Sequence, residues 1–182
     1  LNAHFIVKSS NMIYKILRAL LGLTLLLSIT SCGFGYSLSG VSIPDNIKTY
    51  QVDFFQNQAA YVEPGIERTF TLELQDLILN QSSLDLVNKN GDYVYQGEIT
   101  RFYIAPMTAT ASNTASQNRV TIEVNLRFTN TKDDEASFEK KYSFFYDYAA
   151  TTQLQGAALD TALEIIFDQI TQDIFADTLA QW

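Results

Sequence analysis

The sequence predicts an α+β fold, a two-layer sandwich in which two amphipathic helices cover one face of a mixed, mostly antiparallel sheet of about four strands. Two segments repeat apolar residues at helical spacing, and the main strand candidates alternate apolar and polar residues. A sheet with one apolar face and a helix with one apolar stripe must each bury that apolar surface, and they do so by packing against each other. We therefore expect a single domain over residues 47–182.

The first unit of this domain is a strand followed by a helix. Residues 47–55 alternate, and Tyr50, Val52 and Phe54 are predicted to share one side of a strand. The Pro-Gly pair at 64–65 starts a helix that ends near Gln81. The apolar positions of this helix recur at intervals of three and four: Ile66, Phe70, Leu74, Leu77 and Ile78.

A long strand and a polar loop follow. Residues 84–87 are a short apolar piece, residues 88–92 form a turn cluster, and residues 93–105 are a strand candidate. The apolar parity of that strand shifts near Arg101, as a β-bulge would cause. Residues 106–118 are almost all Thr, Ala, Ser and Asn, so we expect a mobile loop, either inserted into a partner or disordered.

The remaining elements are a hairpin and a helix. Residues 119–131 alternate most regularly, and after an acidic turn the residues 138–148 carry Phe and Tyr on one face, so the two segments predict an antiparallel hairpin. After Gly156 a final helix places its apolar residues on one stripe: Leu159, Leu163, Ile166, Phe167, Ile170 and Ile174.

The N-terminal 31 residues are typical of an export signal. Lys8, Lys15 and Arg18 precede an apolar run over residues 19–29, too short to span a bilayer. The run ends in Ile-Thr-Ser before Cys32, a pattern that resembles a bacterial lipobox. We expect residues 1–31 to be removed, residues 32–46 to form a lipidated tether, and residues 1–11 to lie upstream of the true start. The alternatives are an ordinary secretory signal with an unrelated cysteine, or a buried apolar helix.

Composition excludes several classes of function. The chain has one His and one Cys, at positions 4 and 32, so the expected mature domain lacks both residue types. This excludes Ser-His-Asp and Cys-His nucleophiles and the usual His and Cys ligand sets of zinc, copper and iron sites. All 20 acidic residues follow Cys32, and such an acidic domain repels nucleic acid. We expect neither an enzyme nor a cofactor other than covalent lipid on Cys32.

The order of several segments resembles the LptE family of lipopolysaccharide-assembly lipoproteins, in particular its Bacteroidetes-like branch. The resemblance lies in Cys-Gly-Phe at 32–34, Tyr-Ser-Leu-Ser-Gly at 36–40, Glu-Pro-Gly-Ile-Glu at 63–67, Gly-Glu-Ile-Thr at 97–100 and the strand from Asn118 to Phe128. It implies a non-enzymatic outer-membrane lipoprotein that plugs and helps to assemble an LptD-type β-barrel and assists lipopolysaccharide transport to the cell surface.

Four residues are candidates for contact with lipopolysaccharide or the barrel. Arg101, Arg119 and Arg127 could bind a lipid phosphate, although arginines on a wet sheet face are commonly solvated or paired with an acid. Phe145 points away from the Phe and Tyr ladder of its strand and is a candidate interface residue. The acidic stripe Asp160, Glu164 and Asp168 is more typical of a solvated helix face than of a metal site, and we predict no metal.

Two other functions stay open at the level of sequence. One is a lipoprotein pilot or periplasmic adaptor of another envelope secretion complex. The other is a membrane-tethered hydrolase that uses carboxylates alone, for which the sequence offers no paired-acid cleft. The identity of the partner would discriminate the first, and replacement of each acid in turn would discriminate the second.

Overall fold

The computed structural model of this chain describes residues 43–60, 63–107 and 116–180. Within these ranges two helices and six strands follow one another in the order β1 (Thr49–Val52), β2 (Gln56–Asn57), α1 (Ile66–Gln81), β3 (Asp85–Leu86), β4 (Tyr93–Met107), β5 (Gln117–Asn130), β6 (Phe138–Ala149) and α2 (Ala157–Leu179). The predicted α+β class is confirmed; α1 begins and ends close to the predicted residues, and α2 begins directly after Gly156 as predicted.

The sheet is mixed. Its strand order is β3-β1-β4-β5-β6, with β2 pairing β4 beside β1. The short strands β1, β2 and β3 pair in parallel, whereas β4, β5 and β6 form a long antiparallel meander. The predicted hairpin is confirmed, because β5 pairs with β6 from Gln117 opposite Ala149 to Phe128 opposite Phe138. The sequence did not predict β2 and β3, which are only two residues each.

Both helices cover the same face of the sheet. Tyr50 and Tyr95 lie on one face of neighbouring strands, and their hydroxyls donate to α1 and α2, respectively: to the carbonyl of Gln75 at 2.9 Å and to Oγ1 of Thr178 at 3.1 Å. Between the helices, the ring of Phe70 meets that of Phe167 edge to face at a centroid distance of 5.2 Å. The opposite face of the sheet carries no helix in the described part of the chain.

The first strand is shorter than predicted. We expected one strand over residues 47–55 with Phe54 inside, but β1 ends at Val52 and Phe54 is 58% exposed. Phe55 is buried instead, because its ring packs edge to face on Phe70 of α1 at 5.0 Å. Gly97 on β4 makes room for this ring, since a Cβ there would collide with Phe55 and with the carbonyl of Asn125.

Two further predictions concern β4 and its connection to β5. The predicted bulge is confirmed, because the register between β4 and β5 shifts between Ile99 and Arg101. The loop predicted over residues 106–118 is too long: β4 continues to Met107 and β5 begins at Gln117, where backbone pairing across the hairpin continues despite polar side chains. The part of that prediction over residues 108–115, and all predictions for residues 1–42, lie outside the described residues.

Candidate partner-contact surface

The four predicted contact residues lie on the helix-free face of the sheet. Arg119 and Arg127 occupy the outward positions of β5, and Arg101 on β4 lies opposite Glu123. Phe145 on β6 lies opposite Thr121, and Thr121 is two residues after Arg119 on β5. Arg101, Arg119 and Phe145 therefore lie towards the end of the sheet where β4 leads to β5. Arg127 is eight residues further along β5, or roughly 27 Å away.

Arg119 is held by an acid and by an aromatic ring. Its Nε lies 2.7 Å from Oδ1 of Asp147 and its Nη2 lies 2.8 Å from Oδ2, a bidentate pair across β5 and β6. The guanidinium carbon also lies 3.5 Å from the ring centroid of Phe145. The hydrogen bonds from Arg119 lower the pKa of Asp147 from its usual value. Arg119 is thus fixed in position, its charge is neutralised by Asp147, and its guanidinium group covers one face of the exposed ring of Phe145.

Arg127 belongs to a polar network. Its Nη1 lies 2.9 Å from Oε2 of Glu98, and the amide of Asn125 donates both to Glu98 at 2.9 Å and to Glu139 at 2.7 Å. Partial burial raises the pKa of Glu98, but the hydrogen bonds from Asn125 and Arg127 outweigh it and lower that pKa overall. The charge of Arg127 is therefore already used by a neighbouring carboxylate.

Arg101 differs from the other two arginines. Its guanidinium carbon lies 5.7 Å from the ring centroid of Tyr103, and among the described residues no carboxylate oxygen lies within 4.0 Å of it. The bulge that precedes it turns the residue outward, where it is exposed and helps to line an open pocket of about 340 Å³ together with Ala60 and Tyr103. Arg101 is the arginine of this face whose charge is available to a ligand.

These residues form one amphipathic surface, which we call the strand-end surface: Arg101, Tyr103, Arg119 and Phe145. Tyr103 and Phe145 are 43% and 41% exposed and lie opposite Thr121 on its two neighbouring strands, and Thr121 itself is 8% exposed. The sequence prediction missed Tyr103 and Asp147. The parity shift at the bulge could have placed Tyr103 outward, whereas the pairing of Asp147 with Arg119 depends on the register of β6, which periodicity alone does not fix.

The acidic stripe of α2 offers no metal centre. Within the described ranges no group of three or more His, Cys, Asp or Glu side chains has the geometry to hold a metal ion. Glu73 of α1 faces Asp168 and Glu164 of α2, and burial together with these two carboxylates raises the pKa of Glu73 to about 7.

None of the described helices is long and apolar enough to cross a bilayer. Cys32, the predicted lipidation site, lies outside the described residues.

The sequence of the domain matches that of a known protein family. The profile of the LptE family, described as lipopolysaccharide-assembly, matches residues 47–178, which run from before β1 to the penultimate residue of α2. The chain belongs to the LptE family. No curated protein is significantly similar to it in sequence.

Solved structures share the fold of this LptE-family domain. A hypothetical protein from Chlamydia trachomatis is 8% identical, with a TM-score of 0.51 and coverage of 74% of this chain and 99% of the other. A protein from Xanthomonas campestris is 14% identical, with a TM-score of 0.51 and coverage of 75% of this chain and 86% of the other. At such low identity these two structures support the architecture alone.

Proposed function

We propose that this chain is a non-enzymatic outer-membrane lipoprotein that plugs and helps to assemble an LptD-type β-barrel and assists lipopolysaccharide transport. The observation that carries the proposal is the family match over residues 47–178, which extends from β1 into the last turn of α2. In this proposal residues 1–31 are a signal peptide, Cys32 carries the lipid anchor, residues 32–46 are the tether and residues 47–182 are the barrel-binding domain.

Within this proposal the strand-end surface contacts lipopolysaccharide through Arg101. A phosphate oxygen needs an accessible cationic donor, and Arg101 is exposed and has no carboxylate oxygen within 4.0 Å in the described part of the chain. Tyr103 and Phe145 beside it provide apolar surface for the acyl or sugar portion of the lipid. Arg119 orients Phe145 in this proposal, because its Nε and Nη2 donate to Asp147 and its guanidinium group lies over the ring of Phe145.

Two arginines of the same face provide a matched test of lipopolysaccharide contact. Binding of fluorescent lipopolysaccharide to the detergent-solubilised lipoprotein is measured for Arg101→Gln and Arg127→Gln. We expect Arg101→Gln to weaken binding about tenfold, the loss of one charge-assisted hydrogen bond, and Arg127→Gln to change it less than twofold. Equal losses in the two variants would contradict the assignment, because Arg127 is already engaged by Glu98.

The lipid anchor has its own test. Mass spectrometry of the protein purified from membranes should show loss of residues 1–31 and acyl chains on Cys32, since two or three chains give durable anchoring. Cys32→Ser should leave the leader uncleaved and unacylated. An unmodified Cys32 thiol in the wild-type chain would refute the anchored form of the proposal, whatever the lipopolysaccharide assay shows.

A further inference from the structure

The outer edge of β6 is the longest unpaired strand edge in the part of the chain that the structure describes. Among the described strands, β6 is the last in the sheet order and pairs with β5 alone, over an unbroken register from Phe138 to Ala149. An exposed strand edge presents a row of backbone donors and acceptors to which another strand can add.

The phase of the ladder shows which backbone groups are free. The amide of Ala150 donates to the carbonyl of Ser116 at 2.9 Å, so the even-numbered residues of β6 direct their N–H and C=O groups towards β5. Backbone groups alternate along an antiparallel strand, so the odd-numbered residues direct theirs outward. The outward-directed set is Glu139, Lys141, Ser143, Phe145 and Asp147.

This edge is protected at its start but not in its middle. Natural edge strands are commonly blocked by lysines, inward charges, prolines or bulges. Lys140 is such an inward charge, and its Nζ lies 2.6 Å from Oδ2 of Asp177 on α2. The central stretch from Tyr142 to Tyr146 has no charge, no proline and no break in register, and it is rich in aromatic residues. The middle of β6 is therefore open to strand addition.

We propose that two copies of this chain associate through their β6 edges, antiparallel, with the two-fold axis at Phe144. This register places Lys141 of each copy opposite Asp147 of the second copy, so two complementary charge pairs flank the axis. Ser143 then lies opposite Phe145 of the second copy, and these four pairings use outward backbone groups only. Phe144 meets Phe144 of the second copy on the axis, which adds an aromatic cross-strand pair.

Charge distinguishes this register from its neighbours. Residues that lie opposite each other must share a face, so the pairing can shift only in steps that keep this parity. With the axis at Ser143, Glu139 would lie opposite Asp147 of the second copy, and like charges directly opposite are destabilising. With the axis at Tyr142, Lys141 would lie opposite Ser143 and gain no partner. With the axis at Lys140, Glu139 would lie opposite Lys141 of the second copy, but Lys140 would lie opposite Lys140. The axis at Phe144 gives complementary charge pairs without any like-charge pair.

Each of the two charged residues keeps hydrogen-bonding capacity for this contact beside its existing ion pair. Lys141 is 65% exposed in its side chain and its nearest carboxylate, Glu123, is 3.5 Å away, so its ammonium group has donors to spare. Each oxygen of Asp147 accepts one hydrogen bond from Arg119 and keeps a further lone pair. Strand addition therefore needs no existing ion pair to break.

The first test is the oligomeric state of the full-length chain. Sedimentation in density-matched detergent, with micelles in excess, should show a reversible dimer at about 100 μM protein, because an edge contact is a small interface. Ser143→Pro removes one outward N–H without touching the β5 ladder and should lower association at least tenfold. Ser143→Thr keeps that N–H and should dimerise like the wild type. Circular dichroism establishes that both variants are folded.

The second test reads the register in the wild-type chain and does not depend on any variant. A carbodiimide, which joins an amine to a carboxylate in contact, is applied to a mixture of ¹⁴N- and ¹⁵N-labelled protein. We expect a mixed-isotope peptide joining Lys141 to Asp147; six residues of one strand separate them by about 20 Å, so the link cannot be internal. A monomer at 100 μM, equal association of the Pro and Thr variants, or a dimer without this link would overturn the proposal.

Discussion

Replacing Glu73 by Gln should stabilise the domain at high pH and have little effect at low pH. Glu73 lies half-buried on α1, where burial and then the carboxylates of Asp168 and Glu164 raise its pKa from 4.5 to about 7. A raised carboxyl pKa means that ionisation opposes folding. This penalty is absent below pH 4.5, grows as the pH rises from 4.5 to about 7, and is complete above it.

The size of the effect follows from the shift. Each pKa unit corresponds to about 1.4 kcal/mol, so the full shift would amount to about 3 kcal/mol. Part of the side chain reaches solvent and screening reduces the interaction, so we expect Glu73→Gln to raise the free energy of unfolding by about 1–2 kcal/mol at pH 8. Below pH 4.5 the two proteins should differ by less than about 0.5 kcal/mol.

Urea denaturation at pH 8 and pH 4 measures this difference directly. Glu135→Gln removes the same charge at an exposed position in the turn between β5 and β6, and controls for the change in net charge. The reasoning is refuted if Glu73→Gln is no more stable than wild type at pH 8, or if its gain is the same at both pH values.

Three further predictions concern the stability of the domain, two through packing and one through charge. Phe70→Ala removes a fully buried ring between Phe55 and Phe167 and should cost about 3–5 kcal/mol in urea unfolding, whereas a cost below about 1 kcal/mol would contradict the packing. Gly97→Ala forces a Cβ against Phe55 and the neighbouring strand and should lower the melting temperature; an unchanged value would show that the contact is loose. Asp92 accepts from the amides of residues 48 and 49 and pairs with Lys132, which lowers its pKa below 3.8, so Asp92→Asn should be less stable at neutral pH. That deficit should shrink as the pH falls below about 3.8, and a deficit independent of pH would argue against an ionic role.

The long elements of this fold could be predicted from the sequence because each carries its own periodicity. The final helix and the strands β5 and β6 repeat apolar residues over enough positions to fix both type and face. The bulge near Arg101 could also be predicted from the sequence, because the alternation of apolar and polar residues changes parity once at that point. The strands β2 and β3 could not be predicted, because two residues are too few to show a periodic pattern and the neighbouring strands determine their pairing.

The errors arose where tertiary contacts overrode a local pattern. Alternation placed Phe54 inside, but the space beside Gly97 and Phe70 accepts Phe55 instead. In the same way, sequence could propose Arg101, Arg119 and Arg127 as equivalent cations on one face. The side-chain distances show that Arg119 and Arg127 are paired with acids, whereas Arg101, although it lies opposite Glu123, has no carboxylate oxygen within 4.0 Å among the described residues.

The partner of the strand-end surface is the most direct test of the proposed role. A photo-crosslinking amino acid at Phe145, an exposed position, is activated in intact cells, and the adducts are identified by mass spectrometry. A matched probe at Glu135, in the turn at the opposite end of β5, serves as the control. We predict adducts of the Phe145 probe with an outer-membrane β-barrel protein of the LptD type and with lipopolysaccharide. Adducts with neither, from a protein that is folded and present in the outer membrane, would contradict the proposed assembly role.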